Sequence, residues 1–500
     1  LSEEKNTNTL SRRDFLKAAG LVGGIAAGAA TFGWSYHAGA TPLSKPGWES
    51  RYGREIFNRK PFEVEKPTSY EVVGELERYD PRYGYSSRLR SLPKEWPSEG
   101  VSALDPDMQE FYEKNPTLLE WDKRNNYGTG VDDQEFIDTV QEQRADFAHN
   151  DGYLANVRGK SYGDFSFKGP SAPPEVSDWE SLAEKRAEFH SPEAAADFVK
   201  RLAADFGAVL CRVTKLNPAW VYKCQSRDSR GFKAGETIDV PAWWEYAIVV
   251  TQNMNWDTLA SDPNYGTSYD GYTTSSFTAE LLANAIKNLG YPARIHSPRH
   301  GYDMLVVPPA VDAGFGEFTR AGFCVSPDYG GNFRQAVITT NLPMAIDRPI
   351  DAGIADFCKK CKICAEVCPT NAIPLGDPMV VRGVKRWNVD GSRCSDGWSM
   401  VSGRSSVSPW GSGIHGCRVC LSACPFVKSD NWLHNMVRGV VTKDPTGITQ
   451  SLATTIERNI YGRPSAEQFL PPHFEPFKTP PEWLQTDNFI KGLVNTPKGG

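Results

Sequence analysis

Apolar and polar positions along the chain fall into regions of different character. From residue 41 to about 180 the sequence is rich in Pro, Gly, Tyr, Trp and charge, with few periodic runs. That pattern predicts a long wrapping segment with short helices, such as Asp132 to Phe147. Phe111, Tyr112, Trp121 and Tyr127 make it too aromatic for a disordered composition, and covering a cofactor is one use for it. Regular alternation begins near residue 181. Ser191-Pro192-Glu193 reads as a helix start with proline in the first turn, and Ala194, Phe198, Val199, Leu202 and Phe206 follow at helical spacing. Ala208 to Val213 reads as a strand and Tyr246 to Thr251 as a buried strand. Thr274 to Leu289 reads as a helix stopped by Gly290, and Asp303 to Val307 and Gln335 to Thr340 as further strands. Strands separated by helices predict an α/β layer domain over 181–345 with a sheet at its centre. A cysteine-bearing module occupies 346–430. The remainder, 431–500, contains Pro471-Pro472 and Pro480-Pro481 and is expected to pack back over the core.

The cysteines carry the most specific chemistry. Cys358-Lys-Lys-Cys361-Lys-Ile-Cys364-Ala-Glu-Val-Cys368-Pro369 is answered downstream by Cys394 and by Cys417-Arg-Val-Cys420-Leu-Ser-Ala-Cys424-Pro425. This is the signature of bacterial two-cluster ferredoxins, in which the cysteine before proline ligates the other cluster. By that rule one [4Fe-4S] cluster takes Cys358, Cys361, Cys364 and Cys424. The second takes Cys368, Cys417, Cys420 and, across an insertion, Cys394. A zinc site also uses thiolate tetrads, but zinc ribbons pair C-x2-C knuckles, whereas here three cysteines at spacing three precede Cys-Pro and the pattern recurs. Cys211, Cys224 and Cys324 remain and read as small core residues. Lys359, Lys360 and Lys362 either guide an acidic electron donor or form a solvated basic face.

Composition narrows the class. The chain has 500 residues, enough for two or three structural units. Charged residues are 23%, the formal net charge is -6, and mean hydropathy is -0.46. No basic low-complexity arm is present, which argues against a nucleic-acid partner. At the N-terminus, Ser11-Arg12-Arg13-Asp14-Phe15-Leu16-Lys17 precedes a mild Gly/Ala-rich apolar stretch and Ala38-Gly39-Ala40. Residues 1–40 are expected to be a twin-arginine export signal cleaved after Ala40, so that the protein crosses the membrane folded and already loaded.

A twin-arginine leader, an α/β core and two C-terminal [4Fe-4S] motifs together resemble the corrinoid-dependent reductive dehalogenases of organohalide-respiring bacteria. The resemblance extends to Leu216-Asn217-Pro-Ala-Trp220-Val221-Tyr222, the helix containing Tyr272, Asp328-Tyr-Gly-Gly-Asn332-Phe-Arg334 and Arg348-Pro349-Ile350-Asp351-Ala-Gly-Ile354. It implies a nitroreductase-like corrinoid-binding core joined to a bacterial ferredoxin-like module. It also implies a cobalamin-type corrinoid held base-off, and none of the eight histidines lies in the Asp-x-His-x-x-Gly pattern of His-ligated corrinoid proteins. By residue type alone Tyr272 is a core aromatic and Arg334 half of a surface ion pair. The resemblance instead makes Tyr272 the proton donor and Arg334 its cationic neighbour, since a nearby guanidinium makes a phenol a readier donor. Trp398 and Trp410, within the insertion, become walls of a substrate channel for a halogenated organic molecule. His296, Arg299 and His300 are further neighbours of the site. The implied partners are a small integral-membrane anchor subunit at the outer face of the cytoplasmic membrane and an upstream electron donor. Two rivals share parts of this pattern. An epoxyqueuosine reductase-like enzyme has the same cofactors but acts on tRNA in the cytoplasm, and the leader and acidic charge count against it. A non-catalytic two-cluster electron-transfer subunit needs no cobalt.

Overall fold

A computed structural model describes residues 59–84, 87–88, 91–93, 95–127, 182–226, 232–254, 265–297, 300–368, 370–394, 418–427, 434, 438–439, 441–442 and 447–460. The export signal, the helix expected at Asp132 to Phe147, Arg299, Trp398, Trp410, Cys417 and the tail after residue 460 lie outside these residues.

The segment before the core contains strand β1 (Glu71–Val72) and helices α1 (Pro106–Lys114) and α2 (Pro116–Tyr127). Asp105 starts α1, its carboxylate accepting from the Asp107 N–H at 3.0 Å with Pro106 in the first turn. Tyr112 from α1 and Arg88 converge on the buried Asp122 at 2.9 and 2.7 Å, and Arg88 also donates to Ser392 at 2.9 Å. That bond ties the segment to the cysteine module. Farther back, Arg59 donates to the Gly314 carbonyl and pairs with Asp328 at 2.7 Å, reaching the core.

The core starts with α3 (Pro192–Asp205), capped as the sequence predicts by Ser191 Oγ, which accepts from the Ala194 N–H. It continues through β2 (Leu210–Lys215), β3 (Tyr246–Asn253), α4 (Tyr265–Asn288), β4 (Ala293–His296), α5 (Val307–Asp312), β5 (Glu317–Phe318), β6 (Cys324–Val325) and β7 (Phe333–Thr340). Four strands form one sheet in the order β2-β3-β7-β4, and each neighbouring pair is antiparallel. Register assigns the faces. Val213, Ile248, Ile338 and Ile295 line up across the sheet and bury against alanines of α3 and against Leu282 and Ile286 of α4. The next row carries Val249 and Val337 to the opposite face, where Trp220, Trp244, Phe315 and α5 cover them. Each such fully buried aliphatic side chain contributes about 1.5–3 kcal/mol.

Two expectations change in detail. Asp303 to Val307 is not a strand: Met304 makes a single bridge to Val221, and Val307 opens α5 with prolines in its first turn. The buried face of α3 is Ala195, Ala196, Val199 and Ala203, whereas Phe198 is 40% exposed and leans on Phe189. Small residues let α3 approach the sheet and α4 closely, which a phenylalanine there would prevent.

One buried carboxylate in this layer has a measurable consequence. Asp312, at the end of α5, accepts from Tyr70 and from Trp220 Nε1, yet burial pushes its pKa up to about 6. A folded-state value above the unfolded one means that the stabilisation is full below about pH 4 and is lost as pH rises through about 6. Asp312→Asn, which cannot ionise, is therefore expected to be more stable than wild type at pH 8 by roughly 1–3 kcal/mol. The advantage should shrink at pH 5. Denaturant unfolding at the two pH values checks this.

The cysteine module follows with α6 (Ile354–Cys361), α7 (Ile363–Glu366), β8 (Met379–Val381), β9 (Val384–Arg386) and α8 (Val419–Ser422), and the segment after it contributes α9 (Ile448–Ile460). Strand β9 pairs with both β8 and β1, so the early segment completes a small sheet of the module. Among the described residues, no helix is long and apolar enough to cross a membrane.

Candidate functional site

Cys358 and Cys361 sit on α6 and Cys364 on α7. Lys362 separates the two helices with φ 55°, a left-handed turn uncommon for a residue with a Cβ. Beyond it Cys364 faces the same cavity as Cys358 and Cys361, and Cys424 lines that cavity from just past α8. Phe323, Phe357 and Phe426 keep it apolar. Burial drives the Cys358 and Cys364 thiols well above their usual range, and the charges of neighbouring cysteines push the same way. Four thiols in so dry a place suit a group that shares their charge. They stand around a space rather than about a point, and among the described residues no three His, Cys, Asp or Glu side chains close on a single metal ion. The donor set fits a multinuclear iron–sulfur cluster.

Cys368, Cys394 and Cys420 meet in an adjoining apolar cluster with Ala372, Ile373 and Val389, where Cys364 also packs. The Ala372 N–H donates to Cys368 Sγ at 3.3 Å. Cys420 borders the first cavity as well, so the two groups of cysteines are neighbours. Cys211, Cys224 and Cys324 are buried in the core and belong to neither group; Cys224 donates to Asp80.

The core's contribution to the first cavity is the β5–β6 hairpin, which no motif in the sequence marks. The Glu317 carboxylate on β5 accepts the N–H groups of Ala352, Ile354 and Ala355 at 2.6, 3.1 and 2.8 Å, at the start of α6. These partners lie 35–38 residues away in the chain, so no local pattern exposes them. Burial raises the Glu317 pKa to about 7, against the three donors that favour its ionised form. Arg320, on the turn of the hairpin, donates to the carbonyls of Cys358, Pro374 and Gly376 at 3.2, 2.6 and 2.7 Å and lies over the Trp387 ring.

Tyr272 and Arg334 come together at one end of the sheet. The guanidinium carbon of Arg334, on β7, stands 5.2 Å from the centroid of the Tyr272 ring on α4, within cation–π range. Gly271 makes room for it: a Cβ there would fall 2.9 Å from Arg334 Cγ. Both side chains are half-buried. Nearby, Asn253 ends β3, and Asn332 just before β7 exchanges hydrogen bonds with the Met254 backbone at 2.9 and 3.1 Å. Asn253 Oδ1, Asn332 Oδ1 and Ser276 Oγ, the last one turn along α4 from Tyr272, are buried with no hydrogen-bond partner among the described residues.

Met254 links this end of the sheet to the cysteines. It is buried with Leu421 and Val427 and packs with Phe323, Cys420 and Cys424. The Gly330-Gly331 loop closes the same contact: Gly330 has φ 63°, and a Cβ on it would overlap the Phe426 carbonyl. The core therefore meets the module backbone to backbone. His296 and His300 take another part in the fold. His296 is buried against Thr339 at 3.1 Å and the Trp244 ring, near the Arg294–Asp303 ion pair of 2.7 Å. His300 bonds Ser297 at 2.8 Å and lies 3.5 Å from Glu280.

An antiparallel sheet flanked by helices, with Tyr272 and Arg334 in contact at one end and a cysteine module docked beside it, defines an iron–sulfur protein of mixed α and β architecture. Residues 357–428 match the family of 4Fe-4S dicluster domains. In sequence and fold the chain is similar to the reductive dehalogenases. It is 28% identical over 309 residues to the tetrachloroethene reductive dehalogenase of Sulfurospirillum multivorans, covering 54% of this chain and 58% of that protein. The tetrachloroethene reductive dehalogenase of Dehalobacter restrictus is 26% identical over 303 residues, covering 51% and 52%. Among solved structures, a reductive dehalogenase described in terms of B12-dependent dehalogenation superposes with a TM-score of 0.59 at 20% identity, covering 83% of this chain and 51% of that one. A variant of the catabolic reductive dehalogenase NpRdhA superposes at 0.57 and 21%, covering 79% and 48%. The chain spans about half the length of the relatives it matches.

Proposed function

We propose that the protein is a reductive dehalogenase, which replaces a carbon-bound halogen by hydrogen: an organohalide, two electrons and one proton give the hydrocarbon and halide. One observation carries the reading. Tyr272 and Arg334 sit at the end of the sheet where Met254 packs on the cysteine module, so a proton donor, a cation and an electron source share one apolar junction. The cysteines divide as the dicluster pattern directs, Cys358, Cys361, Cys364 and Cys424 holding one [4Fe-4S] cluster and Cys368, Cys394, Cys417 and Cys420 the other.

In this reading a base-off corrinoid binds at the end of the sheet, beside Tyr272 and Arg334. The rim of such a cofactor carries carboxamides, and the oxygens of Asn253, Asn332 and Ser276, unpartnered among the described residues, are acceptors for their N–H groups. When bound, the corrinoid supplies the cobalt that passes electrons to the carbon–halogen bond. The chain's own residues do the rest. The Tyr272 hydroxyl holds the proton that replaces halide on carbon, and the fixed Arg334 cation holds the departing halide. Met254, Leu421 and Val427 keep water from the junction. Trp398 and Trp410 wall the approach of a halogenated organic substrate. The twin-arginine leader sends the loaded protein to the outer face of the cytoplasmic membrane. There a small integral-membrane subunit anchors it and an upstream donor feeds it electrons, making it the terminal reductase of organohalide respiration.

The test is the metal and corrinoid content of anaerobically purified protein, followed by a screen of halogenated substrates. Eight irons and one cobalt per chain are expected, as two [4Fe-4S] clusters and one corrinoid require. Eight irons without cobalt, even after corrinoid reconstitution, would leave a two-cluster electron carrier.

A further inference from the structure

We infer that Glu317 is a positioning residue for the first cluster: it fixes the start of the helix that bears Cys358 and Cys361, and its charge holds that cluster's reduction potential low. The inference rests on the reading that Cys358, Cys361, Cys364 and Cys424 hold an iron–sulfur cluster.

The first turn of a helix leaves N–H groups with no partner inside the helix, and a side chain at the N-cap ordinarily takes them. The residue before α6 is Gly353, which has no side chain and makes no such bond. Glu317 fills that role from the core instead, taking the N–H groups of Ala352, Ile354 and Ala355 with both carboxylate oxygens. It is 1% exposed and paired through β5–β6 to Val325, which clusters with Ile350, Ile354 and Phe357. A neutral amide or hydroxyl would have capped the helix without placing a carboxylate in an apolar setting, where an unneeded charge is costly. Ala355 lies less than one helical turn before Cys358. Arg320, three residues after Glu317, holds the far side of the same cysteine loop through the Cys358, Pro374 and Gly376 carbonyls. A negative charge close to a cluster in a region of low dielectric opposes the arrival of an electron. Glu317 therefore both aims the ligand helix and biases its cluster toward the oxidised form.

The experiment uses the full chain with its clusters loaded at about pH 8.5, above the Glu317 pKa of about 7 so that the carboxylate is ionised, comparing wild type with Glu317→Gln and Glu317→Asp by iron content, thermal stability and a redox titration followed by electron paramagnetic resonance. Glu317→Gln keeps an oxygen acceptor and loses the charge. At full iron content, one cluster should titrate at a more positive potential, its ratio of reduced to oxidised form rising about tenfold at a fixed poise, which is 59 mV for one electron. The other cluster should not move. Glu317→Asp keeps the charge but is too short to reach all three N–H groups, so it should leave the potential near wild type and lower the stability. Unchanged potentials in Glu317→Gln, or an equal shift in Glu317→Asp, would overturn the inference. If Glu317→Gln does not fold, Glu317→Asp decides: lower stability or loss of one cluster's iron supports the role, and wild-type behaviour overturns it. A wild-type chain lacking this cluster would sink the iron–sulfur reading itself, and this inference with it.

Discussion

Tyr272→Phe is expected to lower dehalogenation turnover by about 10²–10⁴-fold, the usual worth of a positioned proton donor, while iron, corrinoid and fold stay at wild-type levels. The structure makes this a clean substitution. Arg334 approaches the face of the ring, 5.2 Å from its centroid, and a phenylalanine ring offers the same face. The cation therefore keeps its seat and only the hydroxyl is lost. Single-turnover rates with a halogenated substrate, measured beside cofactor content, decide the matter. Wild-type rates in the variant would remove Tyr272 from the reaction. A fall in rate accompanied by lost corrinoid would make its role structural.

The second large effect concerns a cysteine that sequence neighbourhood would misassign. Cys420 and Cys424 both line the cavity of Cys358, Cys361 and Cys364, but only Cys420 also packs with Cys368 and Cys394. Cys424→Ser is expected to abolish or convert the same cluster that Cys358→Ser does, with loss of up to half of the iron. Cys368→Ser should instead match Cys420→Ser, because Cys368 packs in the cluster of side chains that contains Cys394 and Cys420. Iron content and the resonance spectra of the reduced variants sort the four into pairs. Spectra that pair Cys424→Ser with Cys420→Ser would show that each motif binds its own cluster, contrary to the exchange of the cysteines before proline. Turnover should fall to background in either pair, since an interrupted relay delivers no electrons.

The sequence reveals most where a short-range rule governs the structure. Ser191 and Pro192 announce α3 because a helix cap is a local hydrogen bond, and Gln335 to Thr340 announces β7 because a buried strand must be apolar. Patterns of size are less readable. The α3 face is made of alanines because two other elements press on it, and Phe198 points away although its spacing is helical. Asp303 to Val307 has strand-like composition, but Asp303 is held by Arg294 and the prolines that follow commit the chain to α5. In the site, the cysteines are legible from spacing alone. The Tyr272–Arg334 contact becomes legible only through a family resemblance, because 62 residues separate the two and Gly271 is what lets them touch. Glu317 and Arg320 have no sequence signature at all. Their partners are backbone atoms, which every residue possesses.

The contact between Gly330 and the Phe426 carbonyl bears on how such a protein can change over time. Because main chain abuts main chain there, the spacing of the core and the cysteine module at this contact is set by the backbone and not by side-chain size. Under the proposed function, side chains around Tyr272 and Arg334 are thus at liberty to vary with the molecule to be reduced while that spacing stays fixed. Variation in substrate range is expected to accumulate around Tyr272 and Arg334, and intolerance to substitution at Gly330.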